Sequence, residues 1–230
     1  MAGSMIEVPS NGGTLPAYVS LPPSGSGPGV VVIQEWWGLV PHIRNVADRF
    51  ATQGFVALAP DLYHGEETTE PDEAQKLLMN LRLDQAAKDM SGAVHALLGM
   101  PETTGREVGA VGFCAGGGLA LSLASIRPEV TATVCYYGFP LPGAPWDLTA
   151  VRGAVLGHFA GHDDFANREL VDKMDQELRS AGVEVTFYHY PGTGHAFFND
   201  DRPEAYNQEA AELSWQRTLE FLHARLGGTP

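Results

Sequence analysis

The run Val108-Gly109-Ala110-Val111-Gly112-Phe113-Cys114-Ala115-Gly116-Gly117-Gly118 passes from a β-type stretch into the helix-like stretch Leu119 to Ile126 through a cluster of nearly bare residues. A strand that turns sharply into a helix lifts one side chain above the sheet only where its neighbours are small. Glycine stands two residues before and two after Cys114. The stretch reads as a nucleophile elbow with Cys114 at its tip. Its sulfur would lie near a helix N-terminus, where unpaired backbone N–H groups favour both a thiolate and a developing oxyanion. Taken alone, the run fits a buried cysteine in a Gly-rich strand-helix crossing equally well.

Outward from this point, short β-rich runs alternate with longer amphipathic ones. That alternation marks an α/β fold with a mostly parallel central sheet and helices on both faces. Leu15 to Leu21 reads as an edge strand, and Val30 to Ile33 is a solid apolar run suited to a doubly covered central strand. Pro41 to Gln53 has helical spacing and stops at Gly54; Phe55 to Ala59 is the next strand. Pro71 to Leu98 is helical over a span long enough to break in its middle. Val130 to Tyr137, Ala154 to Phe159 and Val183 to Tyr188 read as strands, and Leu170 to Leu178 as a helix. Glu204 to Leu226 closes the chain as an amphipathic helix with Ala211, Trp215, Leu219, Leu222 and Leu226 on one face.

The 230 residues are enough for one large core and short for two. Met1-Ala2-Gly3-Ser4 reads as a cloning remnant ahead of a start at Met5, leaving 5–230 as a single domain. Fourteen basic against twenty-eight acidic residues give a net charge of −14, which repels phosphate backbones and anionic membranes. Cys114 and Cys135 are the only cysteines and lack metal-type spacing; a reducing, cytoplasmic setting without metal or organic cofactor is expected. No run approaches membrane-spanning length.

In such sheets functional groups gather at the carboxyl ends of the strands. Four of those ends carry candidates: Gln34-Glu35-Trp36-Trp37-Gly38, Cys114, Gly161-His162-Asp163-Asp164-Phe165 and Gly192-Thr193-Gly194-His195. The order nucleophile, acid, histidine is the chain order of α/β-hydrolases, with Cys in place of Ser. Histidine is suited to take a proton from a thiol near neutral pH and pass it to a leaving oxygen, and an aspartate would fix its tautomer. Trp36, Trp37, Tyr63, Tyr136, Tyr137, Phe197 and Phe198 stand at or near these ends, as walls for a small unsaturated substrate or as core. Cys135 lies inside a strand and reads as an inert thiol. His158 and His162 flank Gly161, a weak signal for a metal.

From about Val30 onward the chain resembles the dienelactone hydrolase family. The resemblance rests on Gln34-Glu35-x-x-Gly38, Pro60-Asp61-Leu62-Tyr63, Gly112-x-Cys114-x-Gly116-Gly117, Tyr136-Tyr137-Gly138, Gly161-x-Asp163-x-Phe165 and Gly194-His195-x-Phe197. It implies an α/β-hydrolase fold with Cys114 as nucleophile, His195 as base, Asp163 as its orienting partner and Glu35 as a carboxylate beside the thiol. The family spacing selects Asp163 over Asp164, which is left to cap a helix beginning near Phe165. By fold analogy the backbone N–H groups of Trp36 and Ala115 form the oxyanion hole. Glu35 is expected to hydrogen-bond the resting thiol and move when substrate arrives. Trp37, Tyr63, Tyr137, Phe197 and Asn199 are the expected substrate contacts.

One departure bears on specificity. The family holds a substrate carboxylate with two arginines, one four residues after the histidine and one at the start of the long middle helix. Here those positions are Asn199 and a site near Pro71, with Lys76, Arg82 and Arg202 as cations in other registers. The expected activity is opening of a small lactone or ester through a thioacyl-enzyme, by a monomer or weak homodimer. A broad carboxylesterase or thioesterase, a sensor using Cys114 without turnover and a binding module using the aromatic cleft stay open as alternatives.

Overall fold

A computed structural model describes residues 2–10, 12–145 and 147–227. Eight strands form one sheet: β1 (Ser4–Ser10), β2 (Gly13–Ser20), β3 (Gly27–Ile33), β4 (Val56–Pro60), β5 (Thr103–Phe113), β6 (Val130–Tyr136), β7 (Ala154–Ala160) and β8 (Val185–Tyr190). Their spatial order is β1-β2-β4-β3-β5-β6-β7-β8. β1 and β2 pair antiparallel, as do β2 and β4, and every pairing from β4 to β8 is parallel.

The helices are α1 (Pro41–Thr52), α2 (Pro71–Asn80), α3 (Leu83–Gly99), α4 (Ala115–Ile126), α5 (Arg168–Ser180) and α6 (Gln208–Leu226). Alternation along β3 divides the core: Val31 and Ile33 pack into the layer beneath α3, α4 and α5, while Val30 and Val32 pack beneath α1 and α6. All four are fully buried, each worth about 1.5–3 kcal/mol. From β3 the chain moves to one side through α1 to β4, and from β5 to the other through α4 to β6. The carboxyl ends of β3 and β5 therefore flank the point where winding reverses, the place where open α/β sheets leave a crevice.

Some boundaries differ from the sequence reading. Leu15 is not on the edge: β1 pairs outside β2, with Ser4 opposite Val19 and Gly3 donating its amide to Asp48 Oδ1 at 2.9 Å. The polar, turn-flanked β1 run hides its strand character because only Val8 and Ser10 of it are buried. The long middle helix does break, at Leu81-Arg82, where both residues turn extended. The helix assigned to Asp164 as cap starts later, at Arg168, with Asn167 accepting from the Leu170 amide. The last helix likewise starts at Gln208, capped by Asn207 on the Ala210 amide. No described helix is long and apolar enough to cross a membrane.

Candidate active site

Cys114 follows β5 and caps the start of α4 with φ 55° and ψ −123°, a conformation costly for a residue with a β-carbon. Glycines make that turn possible. A Cβ on Gly112 would strike the Gly116 carbonyl, and one on Gly116 would strike the carbonyls of Ile33 and Gln34. The close approach of α4 to the end of β3 thus depends on both. The Ala115 amide, first in α4, has no intrahelical partner by its position, and the Trp36 amide makes no hydrogen bond among the described residues.

His195 follows β8 in a loop stapled to the β7 loop through Thr193, whose carbonyl accepts from His162 N at 3.0 Å and whose hydroxyl accepts from Gly161 N at 3.4 Å. Its Nδ1 lies 2.8 Å from Asp163 Oδ2. Asp163 is almost fully enclosed, and its Oδ1 accepts from the amides of Phe165 and Ala166 at 2.8 and 3.0 Å. The carboxylate is therefore fixed by backbone on one side and aimed at imidazole on the other. Cys114 lies close enough to the ring to act on its charge, and both line the same cavity. Burial opposes charge on the ring, but the Asp163 hydrogen bond, then the hydrogen bond and charge of Cys114 and the charge of Asp163, carry its pKa up to about 10.

Glu35 is buried beside this pair. Its Oε1 accepts from the Tyr137 hydroxyl at 3.3 Å and its Oε2 from Asn199 Nδ2 at 2.6 Å. A carboxylate taken out of water needs such donors. The arrangement differs from the expected bond between Glu35 and the resting thiol: among the described residues the Glu35 carboxylate accepts from Tyr137 and Asn199 and makes no hydrogen bond to Cys114. Burial first, then the charge of Glu35, keep Tyr137 protonated and donating. Asn199 Oδ1 in turn accepts from the Asp201 amide at 3.1 Å.

Cys114, His195, Glu35, Trp36 and Trp37 open onto one cavity of about 420 Å³. Gln75, Leu78 and Met79 of α2, together with Phe165, Ala196 and Arg202, complete its wall. Sequence reasoning missed the α2 residues, because α2 buries only Ala74 and its periodicity does not show which exposed face covers a crevice. Of the expected substrate contacts, the cavity includes Trp37. Tyr137, Phe197 and Asn199 are buried outside its lining, Phe197 against Tyr137 and Tyr190, and Tyr63 borders a separate cavity with His64 and Arg82. Tyr136 is core, stacked on Phe113 at 4.7 Å.

Among the three substitute cations, Arg202 reaches the cavity; Lys76 is exposed and paired with Glu73, and Arg82 with Asp84. His158 points its nitrogens at Tyr190 Oη and Thr218 Oγ1, at 2.8 and 3.0 Å. Burial, then the charge of Arg217, hold its pKa down to about 3, so it serves as a neutral strut. His162 is exposed, and no group of three or more His, Cys, Asp or Glu among the described residues is arranged to hold a metal ion. Cys135 is fully buried, with its thiol pushed up to about 12 by burial.

The sequence profile of the dienelactone hydrolase family matches residues 15–226. The chain belongs to the dienelactone hydrolase family. It is 35% identical over 227 residues to Protein usf of Aquifex pyrophilus, covering 96% of this chain and 97% of that one. It is 32% identical over 236 residues to the protein of Aquifex aeolicus named "Putative carboxymethylenebutenolidase", covering 97% and 99%. A dienelactone hydrolase-like promiscuous phosphotriesterase from metagenomic libraries superposes with a TM-score of 0.86 at 26% identity, covering 99% of this chain and all of that one (100%). This dienelactone hydrolase family member thus has the α/β-hydrolase fold, and its motif residues Gln34 and Asp61 have local work. Gln34 Oε1 accepts from the Leu62 amide at 3.1 Å, and the Asp61 carboxylate accepts from the amides of Tyr63 and Gly65 at 3.1 and 2.6 Å. They fix the two loops that frame the crevice.

Proposed function

We propose that this protein is a cysteine hydrolase that opens small lactones or esters through a thioacyl-enzyme. The observation that carries the reading is the chain of contacts from Cys114 to His195 to Asp163, at the strained turn and facing the cavity. With its pKa raised, His195 is suited to take the thiol proton, and Asp163 holds the imidazolium that results.

The thiolate attacks the carbonyl carbon, and the amides of Trp36 and Ala115 receive the oxyanion. The carbon–oxygen bond then breaks as the imidazolium gives its proton to the leaving alkoxide, which leaves a thioester on Cys114. The now neutral His195 takes a proton from water, and the resulting hydroxide attacks the thioester. Cleavage of the carbon–sulfur bond returns the thiolate and releases the acid. For a lactone the alcohol stays tethered and the product is a hydroxy acid. Glu35 acts in this scheme as a positioning residue, tying the loop that carries the Trp36 amide to the loop that carries His195. The two free cysteines suit a reducing compartment such as the cytoplasm, with the chain working as a monomer or weak homodimer.

The test is 4-nitrophenyl acetate with rapid mixing. A burst of nitrophenolate equal to the enzyme, followed by steady turnover and an acetylated Cys114 peptide trapped by acid, is expected. A single equivalent without turnover refutes the reading in favour of a sensor, and an untouched ester in favour of a binding module.

A further inference from the structure

The catalytic cavity shares two lining side chains with a second cavity, Trp37 and Arg202, and one of them lies over the other. The Arg202 guanidinium carbon stands 3.4 Å from the centre of the Trp37 ring, and its Nη2 donates to the Thr69 carbonyl at 3.1 Å. Trp37 is braced in turn by Trp36, edge on at 4.9 Å between ring centres. Beyond this pair lies a second cavity of about 370 Å³, bounded by Val40, Pro41, Thr68 and Thr69, and Trp37 and Arg202 line it as well. A planar guanidinium stacked on an indole covers such an opening better than a flexible ammonium, which has no face to lay down. The remaining partner, Glu204, lies 3.8 Å away and is largely exposed, so it holds the arginine weakly.

We propose that Arg202, seated on Trp37, is a partition that closes the catalytic cavity and confines the hydrolase to esters and lactones with short acyl groups. This rests on the hydrolytic reading above and adds to it the size class of the substrate and the residue that sets it. Removing the Arg202 side chain joins the two cavities and gives a longer acyl chain apolar space against Trp37, Val40 and Pro41. Each further methylene buried there is worth about fourfold in kcat/KM.

The experiment compares kcat/KM for 4-nitrophenyl octanoate and acetate in the wild type, Arg202→Ala and Arg202→Met. The octanoate-to-acetate ratio is expected to rise by tenfold or more in Arg202→Ala. In Arg202→Met, which keeps length and loses charge, it is expected to stay near the wild-type value. An unchanged ratio in Arg202→Ala, or an equal rise in both variants, overturns the proposal, since bulk would then not be the cause. Trp37→Leu removes the other half of the partition and stands in if Arg202→Ala melts early. Alkylation of Cys114 by iodoacetamide and by N-octyl iodoacetamide reads the same opening without turnover. A selective gain for the octyl reagent in Arg202→Ala supports the partition even if neither ester is hydrolysed, an outcome that refutes the hydrolytic reading alone.

Discussion

Asp163→Asn separates the orienting role of the carboxylate from its structural one. In the wild type Oδ1 accepts from two backbone amides and Oδ2 from His195 Nδ1. An asparagine has one acceptor to divide among these, and keeping the oxygen on the amides of Phe165 and Ala166 preserves two hydrogen bonds against one. Its NH2 group then faces Nδ1 at the 2.8 Å separation and needs a lone pair there. The imidazole is driven into the tautomer protonated at Nε2, the nitrogen facing Cys114, and cannot take the thiol proton without becoming a cation next to another donor. Turnover should fall on the order of 10³–10⁴-fold, about 4–5.5 kcal/mol of transition-state stabilisation. Stability should fall by only about 1–2 kcal/mol, because the turn remains hydrogen-bonded. Two assays check this: kcat/KM on 4-nitrophenyl acetate at pH 7, and iodoacetamide alkylation against pH. In the variant, alkylation at neutral pH should be slower than in the wild type, because the imidazole no longer takes the thiol proton. A variant within tenfold of the wild type in turnover, with an unchanged alkylation profile, would refute the tautomer argument.

Wild-type activity should fall as pH rises through about 10, where the His195 imidazolium is lost, and the stabilisation from its pair with Asp163, complete below its ordinary pKa of 6.5, should disappear over the same range; stopped-flow turnover and melting temperature across pH 7 to 11 check both. His158 has the opposite sign: held neutral down to about 3, it contributes fully above 6.5 and progressively less as pH falls towards 3, so the melting temperature of His158→Gln should lose less than the wild type between pH 7 and 4.5. Gly116→Ala places a methyl group against the Ile33 and Gln34 carbonyls and should cost several kcal/mol in urea unfolding, about 3 or more, along with all alkylation selectivity at Cys114. Asn199→Ala leaves the buried Glu35 carboxylate with Tyr137 alone, costing about 1.5–3 kcal/mol, and should lower kcat through displacement of the Trp36 loop while leaving Asp163 and His195 in contact.

The fold was legible because its signals are periodic and local. Solid apolar runs such as Val30 to Ile33 announce strands covered on both faces, and Gly112 and Gly116 announce the turn because no other residue fits between carbonyls there. Cys114 and His195 could be placed from their strand ends, whereas Asp163 over Asp164 took the family spacing; the structure pairs His195 with Asp163 and sets His195 and Cys114 on one cavity. What surrounds them was not legible in the same way. Asn199 as the partner of Glu35 spans 164 positions, and nothing local marks a neutral amide as the donor to a buried carboxylate. The aromatic residues near the strand ends divide between cavity and core by the side of the backbone they leave from, a register that composition does not carry: Trp37 lines the cavity, whereas Phe197 and Tyr136 are fully buried. β1 escaped notice because an edge strand exposes most of its residues and needs little apolar patterning.

The single loop from Pro191 to Asn207 bears the proposed base His195, the Glu35 partner Asn199 and the proposed partition Arg202, and it is fastened at each of them to a different element. His195 is tied to the β7 loop, Asn199 to the β3 loop and Arg202 to the segment ahead of α2. His42 in α1 holds the same loop through Asp200 at 2.8 Å. The base is therefore positioned by contacts that also shape the substrate space. A residue such as Cys114, set at the junction of β5 and α4, has its geometry enforced by rigid neighbours. His195 has its geometry enforced by the sum of these side-chain ties, each worth about 1 kcal/mol or somewhat more where a charge is involved. Within one shared loop such ties do not act independently, so changes at Asn199 and Arg202 act jointly on the placement of His195. In the proposed mechanism, acyl-chain selection and base placement are set by one segment, separate from the sheet that holds the thiol.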